Sequence, residues 1–225
     1  MAMRAAIFDF DGVIVDSEPL HFQALRSSLL PEGIQIDEKE YYSGYLAYND
    51  RTAIRLALEA HGVSPPLARL DAIARRKADL FSELASKIPL FPGAAELVRS
   101  LAARFPLAIA SGALHGEIDA ILRGAGLRDA FAAIVGADDV SRGKPDPEPY
   151  VSAMGLLAER TPGLAPAECL VFEDSMAGIA SARAAGMTVV AVAHSYPPEK
   201  LGAAHHVVDS LVGLDNDGLR ALFGP

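Results

Sequence analysis

Short apolar runs alternate with helix-period stretches along the second half of this chain. The runs are Leu107-Ala108-Ile109-Ala110, Ala133-Ile134-Val135, Leu170-Val171-Phe172 and Thr188-Val189-Val190-Ala191-Val192. Between them, Glu117 to Gly126 and Met176 to Ala185 carry helical spacing, the second stopped by Gly186. Alternation of this kind predicts βαβ units around a mostly parallel sheet, an α/β core. Ala5-Ala6-Ile7-Phe8 is a further strand, far upstream of the others.

The stretch in between holds no comparable strand. Pro19 to Leu30, Asp50 to Ala60 and Pro66 to Ile88 are all helix-patterned. Asn49 or Asp50 can cap the second of these, and Gly62 lies just past its end. Pro89, Pro92 and Gly93 punctuate the return to strand-helix alternation. The pattern predicts a core formed by residues 1–16 and 90–225, with an all-helical insert over residues 17–89. Charge divides the same way. The insert carries 10 acidic and 9 basic residues, whereas the remainder carries 19 and 11.

Composition narrows the functional classes. Apolar residues make up 51% of the 225 and charged residues 22%, enough for a sizeable core and incompatible with wholesale disorder. A net charge of −9 argues against a nonspecific nucleic-acid binder. No apolar run approaches the roughly 18 residues of a membrane span. Asp9 and Asp11 interrupt the apolar stretch near the N-terminus, so a signal peptide is not expected and a cytoplasmic location is. Cys169 is the single cysteine; it lies in an apolar run with no cationic neighbour and reads as a buried, unreactive thiol. Internal repeats are absent from the sequence.

Candidate chemistry collects at strand ends. Asp9-Phe10-Asp11-Gly12 follows the first strand, and alternation puts both carboxylates on one side of the extended chain. Such a pair binds a cation or shares a proton, although an isolated Asp-x-Asp is more often a solvated turn. Ser111-Gly112 ends the second run with a hydroxyl and unobstructed backbone N–H groups. Glu173-Asp174 ends another run, just before a helix. Lys144 stands in the proline-rich loop Gly143-Lys144-Pro145-Asp146-Pro147. Singly, these read as a turn residue, helix-start acids and a surface charge. In an open parallel sheet, however, ligands lie beyond the carboxyl ends of the strands, where all four features fall. Together they supply a nucleophile, metal ligands, a phosphate-binding hydroxyl and a cation.

The run from Asp9 to Ser17 (Asp-Phe-Asp-Gly-Val-Ile-Val-Asp-Ser) resembles the first motif of the haloacid dehalogenase superfamily. Ser111, Lys144 and Glu173-Asp174 resemble its second, third and fourth motifs in order, and the helical insert is similar to its mobile cap. Within the superfamily the chain is most similar to the β-phosphoglucomutase and small-metabolite phosphatase branch. The resemblance implies a Rossmann-like core and a Mg²⁺ site formed by Asp9, Asp11 through its backbone carbonyl, and Asp174. Glu173 is either a further ligand or stands behind the ligands. Lys144 is implied to hold the attacking carboxylate and a phosphoryl oxygen, with Ser111 donating to another oxygen. Gly12 and Gly112 join these as phosphate-contacting positions. Asp9 would attack phosphorus to form an aspartyl-phosphate, and Asp11 would serve as acid and then base. The acid two residues after the nucleophile favours phosphate monoesters over the halogenated and phosphonate substrates of other members.

In the insert, Leu70, Ile73, Ala74, Leu80, Phe81 and Leu84 form an apolar stripe that includes Lys77. That lysine either snorkels or, as the resemblance implies, faces the substrate. Arg75 and Arg76 read as solvated. His21, twelve residues after Asp9, is a hinge-packing histidine or a substrate contact. Arg51 is the candidate for gripping a distal phosphate, although Ser43 to Asp50 departs from the mutase pattern; Tyr45 and Tyr48 shape a pocket or simply pack. His205-His206 reads as a strand-edge pair, and His115 as a site residue or a helix start. The leading expectation is a Mg²⁺-dependent phosphatase for small phosphorylated metabolites such as sugar phosphates. The alternatives are a β-phosphoglucomutase-like phosphomutase and a catalytically silent binding module. Retention of Asp9, Asp11, Lys144 and Asp174 speaks against the last. The expected partner is a small phosphorylated metabolite, with no nucleic acid and no membrane; oligomeric state is left open, a monomer being the simplest case.

Overall fold

Six parallel strands form one sheet: β1 (Ala5–Phe8), β2 (Leu107–Ala110), β3 (Phe131–Val135), β4 (Cys169–Glu173), β5 (Thr188–Val192) and β6 (His206–Val208), in the order β3-β2-β1-β4-β5-β6. The structure is a computed structural model and describes residues 3–45, 48–85, 88–215 and 218–219. Every residue of β1 and β2 is buried, which is why these strands read as continuous apolar runs. The core is α/β and Rossmann-like. From β1 the chain runs outward through β2 and β3, then crosses back to β4 on the other side of β1. This reversal opens a crevice beyond the carboxyl ends of the central strands. Register brings those ends level, because Phe8 pairs with both Ile109 and Phe172.

Helices α5 (Ala94–Ala102), α6 (His115–Gly124), α7 (Glu148–Ala158) and α8 (Met176–Ala184) accompany the strands. On one face, Tyr150, Ala153 and Leu157 of α7 and Ile179 and Ala182 of α8 pack with Ala5, Ile7, Val171 and Val189. Cys169 is buried with its thiol 3.7 Å from the Ala165 carbonyl, and burial pushes its pKa up to about 11. His115 is the first residue of α6, its N–H donating to Asp138 Oδ1 at 2.8 Å and its ring lying 2.7 Å from the Asp139 carboxylate. His206 begins β6, and the His205 Nδ1 accepts from Val189 N–H at 3.0 Å.

The chain divides into two compact units, one of Met1–Asp16 with Pro89–Pro225 and one of Ser17–Ile88. Where the two chain crossings leave the first unit they pair with each other. Asp16 N–H donates to Pro89 O at 3.0 Å and Phe91 N–H to Ile14 O at 3.0 Å. The second unit is helical: α1 (Glu18–Leu29), α2 (Glu38–Gly44), α3 (Asp50–Ala60) and α4 (Leu67–Ala85). Its core gathers Leu25, Leu29, Ile54, Leu58, Leu70 and Ile73. The cap of α3 is Asn49, which accepts from Thr52 N–H at 3.0 Å, and Gly62 closes it at φ +77°. Helix α2 has no counterpart in the apolar periodicity because Tyr41 is its one buried residue; the Asp37 side chain caps it by accepting from Glu40 N–H at 2.8 Å. Ser86 and Lys87, inside the expected span to Ile88, lie outside the described residues, as do Leu46 and Ala47. Among the described residues, no helix is long and apolar enough to cross a membrane.

Candidate active site

The carboxyl ends of β1 and β4 present Asp9, Glu173 and Asp174. One carboxylate oxygen from each lies within 4.8 Å of the others, and all three residues are buried. Asp9 follows β1 directly, its N–H held by Phe172 O at 2.9 Å. Its Oδ1 accepts from Phe10 N–H at 2.7 Å and from Lys144 Nζ at 2.9 Å. The same ammonium reaches Glu173 Oε1 at 2.6 Å.

Lys144 is held there by a latched loop. Ser141 and Arg142 N–H groups donate to the Glu148 carboxylate at 2.7 and 3.1 Å, while Asp146 Oδ1 accepts from Glu148 N–H at 3.0 Å. From the other side, Ser181 Oγ of α8 donates to Asp146 O at 2.5 Å. Tyr150, fully buried on α7, donates to Glu173 Oε1 at 2.8 Å, and its ring lies 5.0 Å from the Lys144 ammonium.

Glu173 is saturated. Besides Lys144 and Tyr150 on Oε1, its Oε2 accepts from Asp174 N–H, Ser175 N–H and Ser175 Oγ, each at 3.0 Å. Ser175 Oγ also caps α8 by accepting from Gly178 N–H at 3.0 Å. Gly178 is a glycine for a steric reason, since a Cβ there would overlap the Glu173 carboxyl group. On the loop after β1, Gly12 has φ +78°, and a Cβ would collide with the Asp174 carboxylate and come within 2.9 Å of Ser195 Oγ.

Three buried carboxylates share one ammonium, and their ionisation reflects it. Burial, then repulsion from Glu173, holds the Asp9 carboxyl well above its ordinary range, although Lys144 pulls the other way. The same two causes push Asp174 up to about 7. Glu173 also suffers from burial, but Lys144 and its hydrogen bonds bring it below the usual carboxylate value. Lys144 is kept charged: burial opposes the charge, and Asp9 and Glu173 outweigh it. Such a cluster of hard oxygen donors suits a small divalent cation.

Ser111 stands at the end of β2, on the opposite side of β1 from Asp174. It is buried, with its N–H on Val135 O at 3.0 Å and its Oγ accepting from Ala113 N–H at 3.1 Å. The position where a Gly112 Cβ would lie faces open space. Asp11 is half-buried on the next loop, bridged by its backbone to Val15, and is not one of the clustered three.

The remaining candidates belong to the helical unit. Lys77 is only 2% exposed; its ammonium is ion-paired with Asp50 and lies 2.9 Å from His21 Nδ1. The His21 ring stacks on Phe81 at 4.1 Å between centroids. Burial and then the Lys77 charge push His21 down to about 4, so the neutral ring accepts from the ammonium. Arg51 pairs with Asp71 on the surface. Arg76 is not merely solvated: it donates to Ser28 O at 2.8 Å and Glu32 at 3.2 Å, fastening α4 to the end of α1. Tyr45 is buried and donates to Glu40 at 2.5 Å, whereas Tyr48 is exposed.

Sequence reasoning missed Tyr150, His194 and Ser195. Ser195 donates to Asp174 Oδ2, and His194 Nδ1 donates to Gly12 O at 2.9 Å. Both lie in the loop after β5, two and three residues past its last residue Val192, much as Asp9 follows β1 and Ser111 follows β2, and that placement was the available signal.

A family model of haloacid dehalogenase-like hydrolases matches residues 3–186. Among curated relatives, fructose-1-phosphate phosphatase YqaB of Escherichia coli (strain K12) is 35% identical, over 83% of this chain and 94% of its own. A phosphorylated carbohydrates phosphatase of Thermotoga maritima is 34% identical, over 86% and 87%. Among solved structures, a β-phosphoglucomutase of Clostridium difficile superposes with a TM-score of 0.78 at 26% identity, covering 98% of this chain and 97% of its own. With the family model spanning most of the chain and relatives above 30% identity along most of their length, the protein belongs to the haloacid dehalogenase-like hydrolases.

Proposed function

We propose that the chain is a phosphoric monoester hydrolase that acts on small phosphorylated metabolites, sugar phosphates foremost, through an aspartyl-phosphate on Asp9. The observation that carries this reading is the Lys144 ammonium bonded at once to Asp9 and Glu173, inside a buried cluster that holds an excess of carboxylates. The donor set fits Mg²⁺: oxygens only, close together, with Asp9 and Asp174 driven toward protonation first by burial and then by repulsion from Glu173. Asp9 and Asp174 would hold the ion, joined by the Asp11 backbone carbonyl as in the family. Both Glu173 oxygens are engaged, so Glu173 acts as the counter-anion that fixes Lys144. When bound, Mg²⁺ neutralises phosphoryl charge so that an anionic nucleophile can approach.

Asp9 then attacks phosphorus; a carboxyl O–P bond forms and the P–O bond to the alcohol breaks. Asp11 gives its proton to the leaving oxygen and afterwards takes one from the water that cleaves the acyl phosphate. Lys144 stabilises charge on the transferring group, and Ser111 with the backbone N–H at Gly112 donates to its oxygens, whereas the Gly12 N–H is committed to Val15 O at 3.0 Å. His21 and Lys77 are the candidates for reading the alcohol portion.

The phosphatases among the relatives support hydrolysis of phosphorylated carbohydrates. Charge in the helical unit supports hydrolysis over mutase chemistry. A mutase must grip a second phosphate, and Arg51, the candidate for that grip, is already paired with Asp71. The test is phosphate release from a panel of sugar phosphates with and without Mg²⁺. Hydrolysis is expected only with the ion, and none from Asp9→Asn at an unchanged unfolding midpoint. Retained turnover in that variant would remove the covalent route. Conversion of β-glucose 1-phosphate and its bisphosphate to glucose 6-phosphate, without net phosphate release, would replace the hydrolase with a mutase.

A further inference from the structure

The loop that follows β5 touches the acidic cluster from a side that no sequence motif marks. Ser195 Oγ donates to Asp174 Oδ2. Its neighbour His194 donates through Nδ1 to Gly12 O at 2.9 Å, and the imidazole stacks on Phe91 with centroids 4.0 Å apart and planes 15° apart. Phe91 is itself fixed by its N–H on Ile14 O at 3.0 Å, and Ala193 N–H is held by Val208 O at 2.9 Å. The dipeptide is therefore anchored to the sheet, to the Asp11 loop and to the strand crossing at Phe91 before it reaches Asp174. Space around the contact is closed, since a Cβ on Gly12 would strike both the Asp174 carboxylate and Ser195 Oγ.

We propose that Ser195 is a positioning residue for the cation site: its hydroxyl engages Asp174 Oδ2 and so fixes the rotation of a carboxylate that would hold the ion, with the His194–Gly12 bond setting the height of the hydroxyl. This assignment rests on the metal-assisted reading above. A carboxylate that rotates freely in its pocket must be ordered by the incoming ion, whereas one locked by a donor is already ordered. Groups that orient a ligating side chain typically contribute about 10–100-fold in metal affinity. Because the hydroxyl bonds to Asp174 rather than to the nucleophile Asp9, its removal is expected to act on ion affinity and to spare the chemical step at saturating ion.

The experiment titrates Mn²⁺, in competition with Mg²⁺, into the full-length chain and follows free Mn²⁺ by electron paramagnetic resonance. Alongside it, phosphate release is measured as a function of Mg²⁺. Ser195→Ala is expected to bind the ion about ten-fold more weakly and to shift half-saturation equally. Its kcat at saturating Mg²⁺ is expected to stay within about two-fold of the parent, since outer-shell groups act mainly through the ligand. Ser195→Thr, which keeps the hydroxyl, is expected to restore affinity. Should Ser195→Ala fail to fold, Ser195→Cys, a poor donor of similar size, is expected to show the same weakening. Parent-like ion affinity in Ser195→Ala or Ser195→Cys overturns the assignment. So does a Ser195→Thr chain that is folded yet as weak as Ser195→Ala. If the unmodified chain binds no Mn²⁺ or Mg²⁺, the metal-assisted reading falls and this assignment falls with it. If it binds and Ser195→Ala binds equally, only the role of Ser195 is lost.

Discussion

His21 and Lys77 show how strongly a single pair of side chains can depend on charge state. The His21 ring is neutral because protonation would set two cations 2.9 Å apart in a poorly hydrated place. Its folded-state pKa of about 4 lies below the ordinary 6.5, so the unfolded chain binds more protons between those values. Stability from this contact is therefore complete above pH 6.5 and is lost as pH falls toward 4. The expected cost is about 2 kcal/mol at pH 5 relative to pH 7. Urea unfolding at the two pH values checks it, with His21→Gln, which still accepts from Lys77 but does not titrate, removing that share of the difference. The sequence marked both residues because of their spacing from Asp9 and along the apolar stripe. It could not mark Asp50, whose role is to neutralise a lysine 27 positions away. Tyr150 and Ser195 were hidden for the same reason: each acts through an acid that only the folded sheet brings near.

Helix α8 is shaped by the acid that precedes it. Met176 to Ala184 begins immediately after Glu173-Asp174-Ser175, and its cap residue Ser175 donates to the Glu173 carboxylate. The apolar runs made β4, α8 and their neighbours legible, because a parallel sheet covered by helices leaves few polar interruptions. The reason for Gly178 was not legible. In an ordinary helix turn, glycine to alanine stabilises by up to about 1 kcal/mol. Here the added methyl has to displace the Glu173 carboxyl group. Gly178→Ala is expected to destabilise by about 1–3 kcal/mol. It is also expected to lower kcat/KM by at least about ten-fold, because the group that anchors Lys144 moves. Thermal unfolding and steady-state kinetics check the two effects; a stabilised, fully active variant would show that the carboxylate is free to rearrange. Helix α2 illustrates the opposite limit, a short element made by capping at Asp37 and one buried tyrosine, with no periodicity to reveal it.

Across the chain as a whole, sheet order decides which distant segments can cooperate. Placing β1 between β2 and β4 puts Asp9 between Ser111 on one side and Glu173 with Asp174 on the other, although more than 150 residues separate the first from the last. The strand pattern predicted a mostly parallel sheet and five of its six strands but not their order, and the motif resemblance supplied the order of its chemistry along the chain. Positions within the helical unit were harder to read, since its helices pair charges with one another as readily as they could offer them to a ligand. Lys144 and the three acids carry the central chemical claim: Asp9 takes up the phosphoryl group covalently. The most direct measurement is acid quenching of the enzyme within the first turnover on a good sugar-phosphate substrate, followed by peptide mass spectrometry. A phosphoryl group on the peptide containing Asp9, lost on hydroxylamine treatment and missing from Asp9→Asn, is the predicted result. Rapid hydrolysis with no acyl phosphate at any quench time, or a phosphoryl group on another residue, would contradict it.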